Sequence, residues 1–312
     1  MRLPIWYVLA SDGERLHRDL AIISASVLRH VDARVEIGLL CDQQSADAAD
    51  RDGLRLESFF DHVVRRQTTE TTALERSRAL KLRMRLELSG DLVYVDSDTL
   101  ALGPLDDWPK VDASVMLAYD YHPGQRSHQG APDGAILHLQ KIGWPTPVPR
   151  YFNGGVIVWR DDDRAHQFAS AWYENWQYSV NAGVSLDQPA LAHTDRQLGS
   201  PVHVLPPMFN AQISAWAGFA PDARLWHFWL SQVSDPESPS SILEYLLHTY
   251  QQTGAIDVER FERCRANSFP WVRSQGFKQY WLTGNYGSAL SELPRVASRF
   301  ISRLGSLPES RP

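Results

Sequence analysis

The chain has 312 residues, 43% hydrophobic and 22% charged, an ordinary globular composition that excludes extensive disorder and suits one large α/β unit with an addition. Its formal charge is −6, from 31 basic and 37 acidic side chains, and this mildly acidic balance argues against nucleic acid as a partner. The two cysteines, Cys41 and Cys264, are too far apart and too differently set to suggest a disulfide framework, and the opening apolar run is too short for a signal peptide or a membrane span, so the expected setting is the cytoplasm.

Residues 5–10 form an aromatic and β-branched run that ends at Ser11-Asp12-Gly13, which predicts a buried strand and a loop. Leu16, Leu20, Ile23, Val27 and Leu28 then recur near every 3.6 residues, and residues 35–40 are apolar again. This is a βαβ pattern, whose crossover favours a parallel sheet. Residues 76–88 read as a helix with Leu80, Met84 and Leu88 on one stripe and Gly90 as its stop signal. The uniformly apolar Leu92-Val93-Tyr94-Val95 reads as a third strand, covered on both faces, and it runs straight into Asp96-Ser97-Asp98.

Between 119 and 150 the periodicity fades among prolines and glycines, which predicts a long irregular loop at the substrate rim. Strand character returns at 154–159 and helical character at 167–178. The Ser/Pro/Asp/Glu cluster at 234–241 marks a break, followed by helical segments. In the last of these, Leu293, Val296, Phe300 and Leu304 share a face beside Arg295, Arg299 and Arg303. Packing on its own domain is the first reading of this helix, and peripheral contact with a membrane through 293–304 is the second.

The acid pair Asp96 and Asp98 sits where an open α/β sheet binds ligands, in the crevice beyond a strand's carboxyl end. Buried or crowded carboxylates need a partner, and a divalent cation is a good one. Breaking a bond to a diphosphate builds negative charge that such a cation neutralises. His227, in Leu225-Trp226-His227-Phe228-Trp229, is a candidate third ligand, with a histidine satisfied inside an aromatic cluster as its alternative. Two carboxylates and one imidazole suit Mn²⁺, or Mg²⁺, better than Zn²⁺.

These pieces, in order, resemble the retaining glycosyltransferases of the glycogenin and lipooligosaccharide galactosyltransferase type (family 8-like). They are Val8-Leu9-Ala10-Ser11-Asp12, Lys81, Val93-Tyr94-Val95-Asp96-Ser97-Asp98-Thr99-Leu100, Tyr151-Phe152-Asn153-Gly154-Gly155-Val156, Asp187-Gln188 and His227-Phe228, spread over roughly residues 5–230. The resemblance implies an α/β fold of the GT-A type, a Rossmann-like and mostly parallel central sheet flanked by helices with a helical C-terminal appendage. It implies a catalytic domain over 1–230, with a nucleotide-binding half at 1–110 and a sugar and acceptor half at 111–230, and an extension over 231–312. The implied activity is that of a metal-dependent hexosyltransferase acting on a UDP-sugar with retention, toward a glycan, lipid-linked, protein or small-molecule hydroxyl that the sequence does not choose between.

Carried over residue by residue, the resemblance assigns Ala10 and Asp12, with Ser11 between them, to the uracil and ribose. It assigns Lys81 to the donor, Asp120 to the sugar, and Asp96, Asp98 and His227 to the metal, with Ser97 within the acid motif. Asn153, Gly154, Asp187 and Gln188 line the sugar pocket, and Asn153, Asp187 and Gln188 are the candidate catalytic group. Simpler roles stand beside these. Asn153 could cap a turn before the two glycines, Asp187-Gln188 could open a helix started by Pro189, and Lys81 could be a solvated helix residue.

One departure stands out: the family carries Gly and then Lys shortly after the histidine, whereas here the chain reads Phe228-Trp229-Leu230-Ser231-Gln232-Val233. Lys278 or Arg273 are the candidates to supply that charge. Trp144, Trp216 and Trp229 are read either as sugar-stacking or as core residues. The rival readings are a sugar-1-phosphate nucleotidyltransferase, which the single glycine after the first strand disfavours, a metal-dependent hydrolase, and a non-catalytic nucleotide-sugar or carbohydrate-binding protein.

Overall fold

The structure is a computed structural model that describes residues 2–124, 127–230, 237–273 and 276–304, the last six of these as helix backbone only. The first half of the chain gives β1 (Ile5–Leu9), α1 (Leu16–Val31), β2 (Ile37–Asp42), α2 (Gln43–Arg51), β3 (His62–Arg66), α3 (Ala73–Glu87), β4 (Leu92–Val95) and β5 (Thr99–Ala101). There follow β6 (Val115–Tyr119), α4 (Asp133–Ile142), β7 (Phe152–Trp159), α5 (Asp163–Asn181), α6 (Asp187–Gln197), β8 (His203–Val204), β9 (Ala211–Gln212) and β10 (Leu225–His227). Among the described residues, five helices follow: α7 (Ile242–Thr253), α8 (Val258–Ala266), α9 (Phe277–Leu282), α10 (Tyr286–Ser291) and α11 (Leu293–Leu304).

Seven strands form the central sheet in the order β3-β2-β1-β4-β7-β6-β8. All pairings are parallel except those of β7, which runs opposite to both β4 and β6. The reason for the apolar strands is visible in β1. Ile5, Tyr7 and Leu9 enter the core on the α1 side, while Trp6 and Val8 enter the core on the α3 and α5 side. Alternate residues therefore meet two buried layers, and a strand covered on both faces has no polar side to show. Gly38 of β2 is required by the same packing, because a Cβ there would lie 2.4 Å from the Trp6 ring.

α3 begins at Ala73, three residues before the apolar stripe suggested, because Thr72 and Glu75 form a reciprocal capping box. At its far end the fully buried guanidinium of Arg85 bonds the carbonyls of Leu88 and Gly90, which satisfies the helix terminus and leads the chain into β4. The acid motif thus follows the fourth strand rather than the third, since α2 and β3 come between. The stretch 119–150 is not a continuous loop. It holds α4, which opens after Pro132 and closes at Gly143 in the left-handed conformation (φ 79°). The helix expected at 167–178 spans Asp163–Asn181, capped by Asp162.

A second, three-stranded sheet, β5-β10-β9, stands over the carboxyl end of β4. Its core joins Leu100 and Trp226 to Leu20, Ile23 and Val27 of α1 and to Ile242, Leu243, Leu246 and Leu247 of α7. α11 covers the expected helical span, with Leu293 and Val296 44% and 46% exposed. The side chains of Arg299, Phe300, Arg303 and Leu304 lie outside the described residues. Cys41 and Cys264 are both free thiols. Among the described residues no helix is long and apolar enough to cross a membrane.

Candidate metal and donor site

β4 ends at Val95, and the next residue turns away from the sheet. The N–H of Asp96 donates to the Gly155 carbonyl (2.8 Å), and the Thr99 hydroxyl donates to the Asp96 carbonyl (2.8 Å), which closes the Asp96-Ser97-Asp98 turn. β5 then pairs antiparallel with β10, with Thr99 opposite His227. That register, across more than a hundred residues of chain, is what brings the imidazole to the acids. His227 Nε2 lies 3.3 Å from Asp98 Oδ1 and 3.9 Å from Asp96 Oδ2.

One ligand atom from each of the three residues falls within 4.8 Å of the others. This separation fits a single cation bonded at about 2.0–2.2 Å to two oxygens and a nitrogen, with the remaining positions open. Further contacts orient the ligands, as metal sites require. The Tyr94 hydroxyl donates to Asp96 Oδ1, and the Leu230 N–H donates to Asp98 Oδ2 (2.8 Å). The latter bond follows a left-handed backbone at Trp229 (φ 53°), a conformation costly for a bulky residue.

Charges in this cluster are interdependent. Burial and the neighbouring Asp98 raise the Asp96 carboxyl above its ordinary range, against the pull of Lys81 and His227. Burial pushes Asp98 up as well, but the His227 imidazole and the Leu230 N–H outweigh it and hold that carboxyl low. For His227, burial disfavours the charged form, yet Asp98, Asp96 and Asp120 prevail and raise its pKa. The three groups thus favour positive charge between them, which is the place a divalent cation would take.

Two cavities meet at this cluster, of about 420 and 430 Å³, and both are lined by Leu74, Ser77, Tyr94, Asp96 and Asp98. The first also receives Ala10, Ser11, Asp12 and Ser97. Here the buried Arg76 grips both Asp12 (2.6 Å) and Asp42 (2.5 Å), and that bond to Asp12 holds its exposed carboxyl below the usual range. The second cavity receives Lys81, Asn153, Gly154, Asp187, Gln188, His227 and Trp229. Lys81 is not a solvated helix residue: it is 9% exposed and ion-paired with Asp187, whose carboxyl Lys81 and Arg78 hold low against the effect of burial.

Asp120 lines neither cavity but stands directly behind Asn153, whose Nδ2 donates to Asp120 Oδ1 (3.0 Å); burial raises its carboxyl. Gln188 Nε2 donates to the Phe152 carbonyl (3.2 Å). The cap of α6 is Leu186, so Asp187 and Gln188 open the helix without capping it through a side chain. Asn153 does close a local turn, its Oδ1 accepting from the Gly155 N–H (2.9 Å), while still lining the cavity.

Two residues at the site, Gln212 and Asn210, escaped the sequence reading, and Gly155 entered it only within a motif, with no role assigned. A Cβ on Gly155 would fall 2.4 Å from His227 Cε1 and 2.9 Å from both Asn153 Oδ1 and Asp96 Oδ2. Gln212, fully buried, accepts from the Tyr121 N–H (3.0 Å) and donates to the Tyr119 carbonyl (2.7 Å), bracketing Asp120. Asn210, also fully buried, joins Asn153 to His227. The one available signal is the presence of two amides, Asn210 and Gln212, within an otherwise apolar run; Asn210 ends a single 3-10 turn and Gln212 lies in β9.

Neither Arg273 nor Lys278 lines either cavity. Arg273 bonds Ser238 and the Glu237 carbonyl, and the Lys278 ammonium lies 5.5 Å above the Trp216 ring. Residues 231–233 lie outside the described residues. The cation that does stand in the second cavity beside Lys81 is Arg78, tied to the Ser185 carbonyl (2.5 Å). Of the three tryptophans, Trp229 lines the cavity, while Trp144 stacks on His193 at 4.3 Å.

No protein-family model matches the sequence, and no curated protein does. Among solved structures, the chain is similar to the glycosyltransferase GlyE of Streptococcus pneumoniae TIGR4, at 13% identity, 88% of this chain, 67% of that one and a TM-score of 0.50. It is also similar to a galactosyltransferase, LgtC, in complex with donor and acceptor sugar analogs, at 14% identity, 90% of this chain, all of that one and a TM-score of 0.48. The likeness to GlyE shows the fold: a mainly parallel seven-stranded sheet flanked by helices, of the GT-A glycosyltransferase type.

Proposed function

We propose that the protein transfers a hexosyl group from a nucleoside-diphosphate sugar, a UDP-sugar, to a hydroxyl acceptor with retention at the anomeric carbon. The catalytic unit is residues 1–230, and 231–312 form its helical extension. The observation that carries this reading is the meeting of two cavities at Asp96, Asp98 and His227. A nucleoside in the first and a sugar in the second leave the diphosphate between them, against the three ligands.

The residues fit Mn²⁺ or Mg²⁺, since the donor set is two carboxylates and one imidazole with open positions. A cation bound there supplies neutralisation of the charge that gathers on the departing diphosphate. Ala10, Ser11 and Asp12 hold the base and ribose, with Arg76 fixing the Asp12 carboxylate. In the sugar cavity Asn153 and Gln188 orient the ring. Asp187, kept ionised by Lys81 and Arg78, stabilises positive charge at the anomeric carbon as its bond to the diphosphate oxygen breaks. The acceptor oxygen forms the new bond on the same face and passes its proton to the departing phosphate oxygen.

The test is release of UDP from UDP-hexoses with Mn²⁺, with and without candidate acceptors. Asp96→Ala and Asp98→Ala are expected to reduce release at least about 100-fold, the scale at which a transition-state charge stabiliser acts, without loss of the folded state. Release that persists in both variants under excess chelator rules out the metal assignment. A second reading, a binding protein for the same ligands, is favoured by the position of Arg273 and Lys278 away from the cavities. UDP-sugar binding with no UDP release from any acceptor pair would select it.

A further inference from the structure

An imidazole can serve as a ligand only through a nitrogen that carries no proton, and which nitrogen that is depends on what the other one bonds. His227 turns Nε2 toward the two acids and Nδ1 toward Asn210 Oδ1 at 2.8 Å. Amide oxygens and nitrogens look alike by shape, so this contact alone does not fix the proton. The network behind it does.

The chain of reasoning starts from a backbone N–H, which can only donate. Gly155 N lies 2.9 Å from Asn153 Oδ1, so that atom is an oxygen, and the Asn153 nitrogen is then the atom 3.0 Å from Asp120 Oδ1, where a carboxylate awaits a donor. Asn210 approaches the same Asn153 oxygen at 2.9 Å and must present its nitrogen there. Its own oxygen is thereby left facing His227, where it can only accept, so Nδ1 carries the hydrogen. Asp120, Asn153, Asn210 and His227 are all buried, which shuts out water as a competing partner.

We infer that Asn210 is a positioning residue: it holds the proton of His227 on Nδ1 and so leaves Nε2 bare toward Asp96 and Asp98. It also ties that imidazole, through Asn153, to Asp120 behind the sugar cavity, so the groups around the sugar and around the cation are one hydrogen-bonded unit. The role of Nε2 as a metal ligand rests on the function proposed above; the tautomer does not.

The experiment is long-range ¹H–¹⁵N NMR of the metal-free protein at about pH 9, above the ordinary histidine range, with the His227 signals assigned from His227→Gln. The wild type is expected to show Nδ1 protonated and Nε2 bare. Asn210→Ala is expected to move the proton to Nε2 in a substantial fraction of molecules, whereas Asn210→Asp, which still offers an acceptor, keeps it on Nδ1. In parallel, calorimetric titration with Mn²⁺ is expected to show affinity about 10–100-fold weaker in Asn210→Ala, the usual effect of losing a ligand's supporting partner, and recovery of most of it in Asn210→Asp.

A wild-type imidazole protonated on Nε2 and bare on Nδ1 overturns the inference without reference to any variant. So does Asn210→Ala with both tautomer and Mn²⁺ affinity unchanged. Wild-type protein with the Nδ1–H tautomer and no Mn²⁺ binding upholds the positioning role and removes the metal from the proposed function instead.

Discussion

Gly155 shows how closely the backbone approaches the proposed metal site. The three atoms a side chain would strike belong to His227, Asn153 and Asp96, each fixed by other bonds, so none can step aside as the end of a flexible chain would. Gly155→Ala is therefore expected to weaken Mn²⁺ binding at least about tenfold and to lower stability by about 1–3 kcal/mol, the usual cost of overpacking. Calorimetric titration and urea unfolding check both, and wild-type affinity in the variant would contradict the close approach. At Gly154, by contrast, the nearest atom is Lys81 Nζ, the end of a long side chain, at 3.2 Å. The sequence places both glycines beside Asn153, but which of them needs to lack a Cβ depends on the pleat of β7 and on what lies across from it. Asn210 and Gln212 were harder still to read, because their importance comes from long-range partners rather than from any local pattern.

At the level of elements, the small sheet is what makes a site out of separate motifs. β5 and β10 have three residues each, too few to show a period, yet their pairing sets His227 against Asp98. Trp226 anchors that sheet, fully buried, with its indole N–H donating to the Ala220 carbonyl (3.1 Å). Trp226→Ala is expected to cost about 3–5 kcal/mol and to weaken Mn²⁺ binding with it, because the neighbouring His227 loses its register. Urea unfolding and Mn²⁺ titration measure the two effects, and a variant destabilised to that extent with unchanged affinity would separate the ligand from the sheet. β1 and β4 were legible because two buried layers leave a strand uniformly apolar. β3 was not, since it is the half-exposed edge, and α2 was not, since only Ser45, Ala46 and Ala49 of its nine residues are buried. α4 was hidden by Pro132 and Gly134, which read as loop signals although one is the helix's N-cap and the other lies in its first turn.

Across the whole molecule, the ion pair of Lys81 with Asp187 joins α3, which leads into β4, to α6, which comes after β7 and α5. Lys81 and Arg78 depress the Asp187 carboxyl below 3.8 in the folded chain despite burial. A depressed acid stabilises the fold at pH values above its unfolded pKa, near 3.9, and that stability disappears as pH falls through the folded value. Asp187→Asn is thus expected to cost about 3–5 kcal/mol at neutral pH, where it strands a buried ammonium, and progressively less below about pH 4, as first the unfolded wild type and then its folded carboxyl take up a proton. Urea unfolding of both proteins across that range checks the sign, and a gap that stays constant with pH would contradict it. The parallel arrangement of the early strands was legible from their helical crossover. The reversal of β7 was not, because an apolar strand carries no mark of its direction.

That reversal fixes a distance within the candidate site. Because β7 runs against β4, with Val156 beside Val95, it is the start of the strand that borders the acids, and Asn153 and Gly155 lie on one face two residues apart. An extended backbone fixes such a step at about 6.6 Å. The strand therefore acts as a ruler laid between Asn153 and the atoms of Asp96 and His227 that crowd Gly155, and no loop movement can lengthen it.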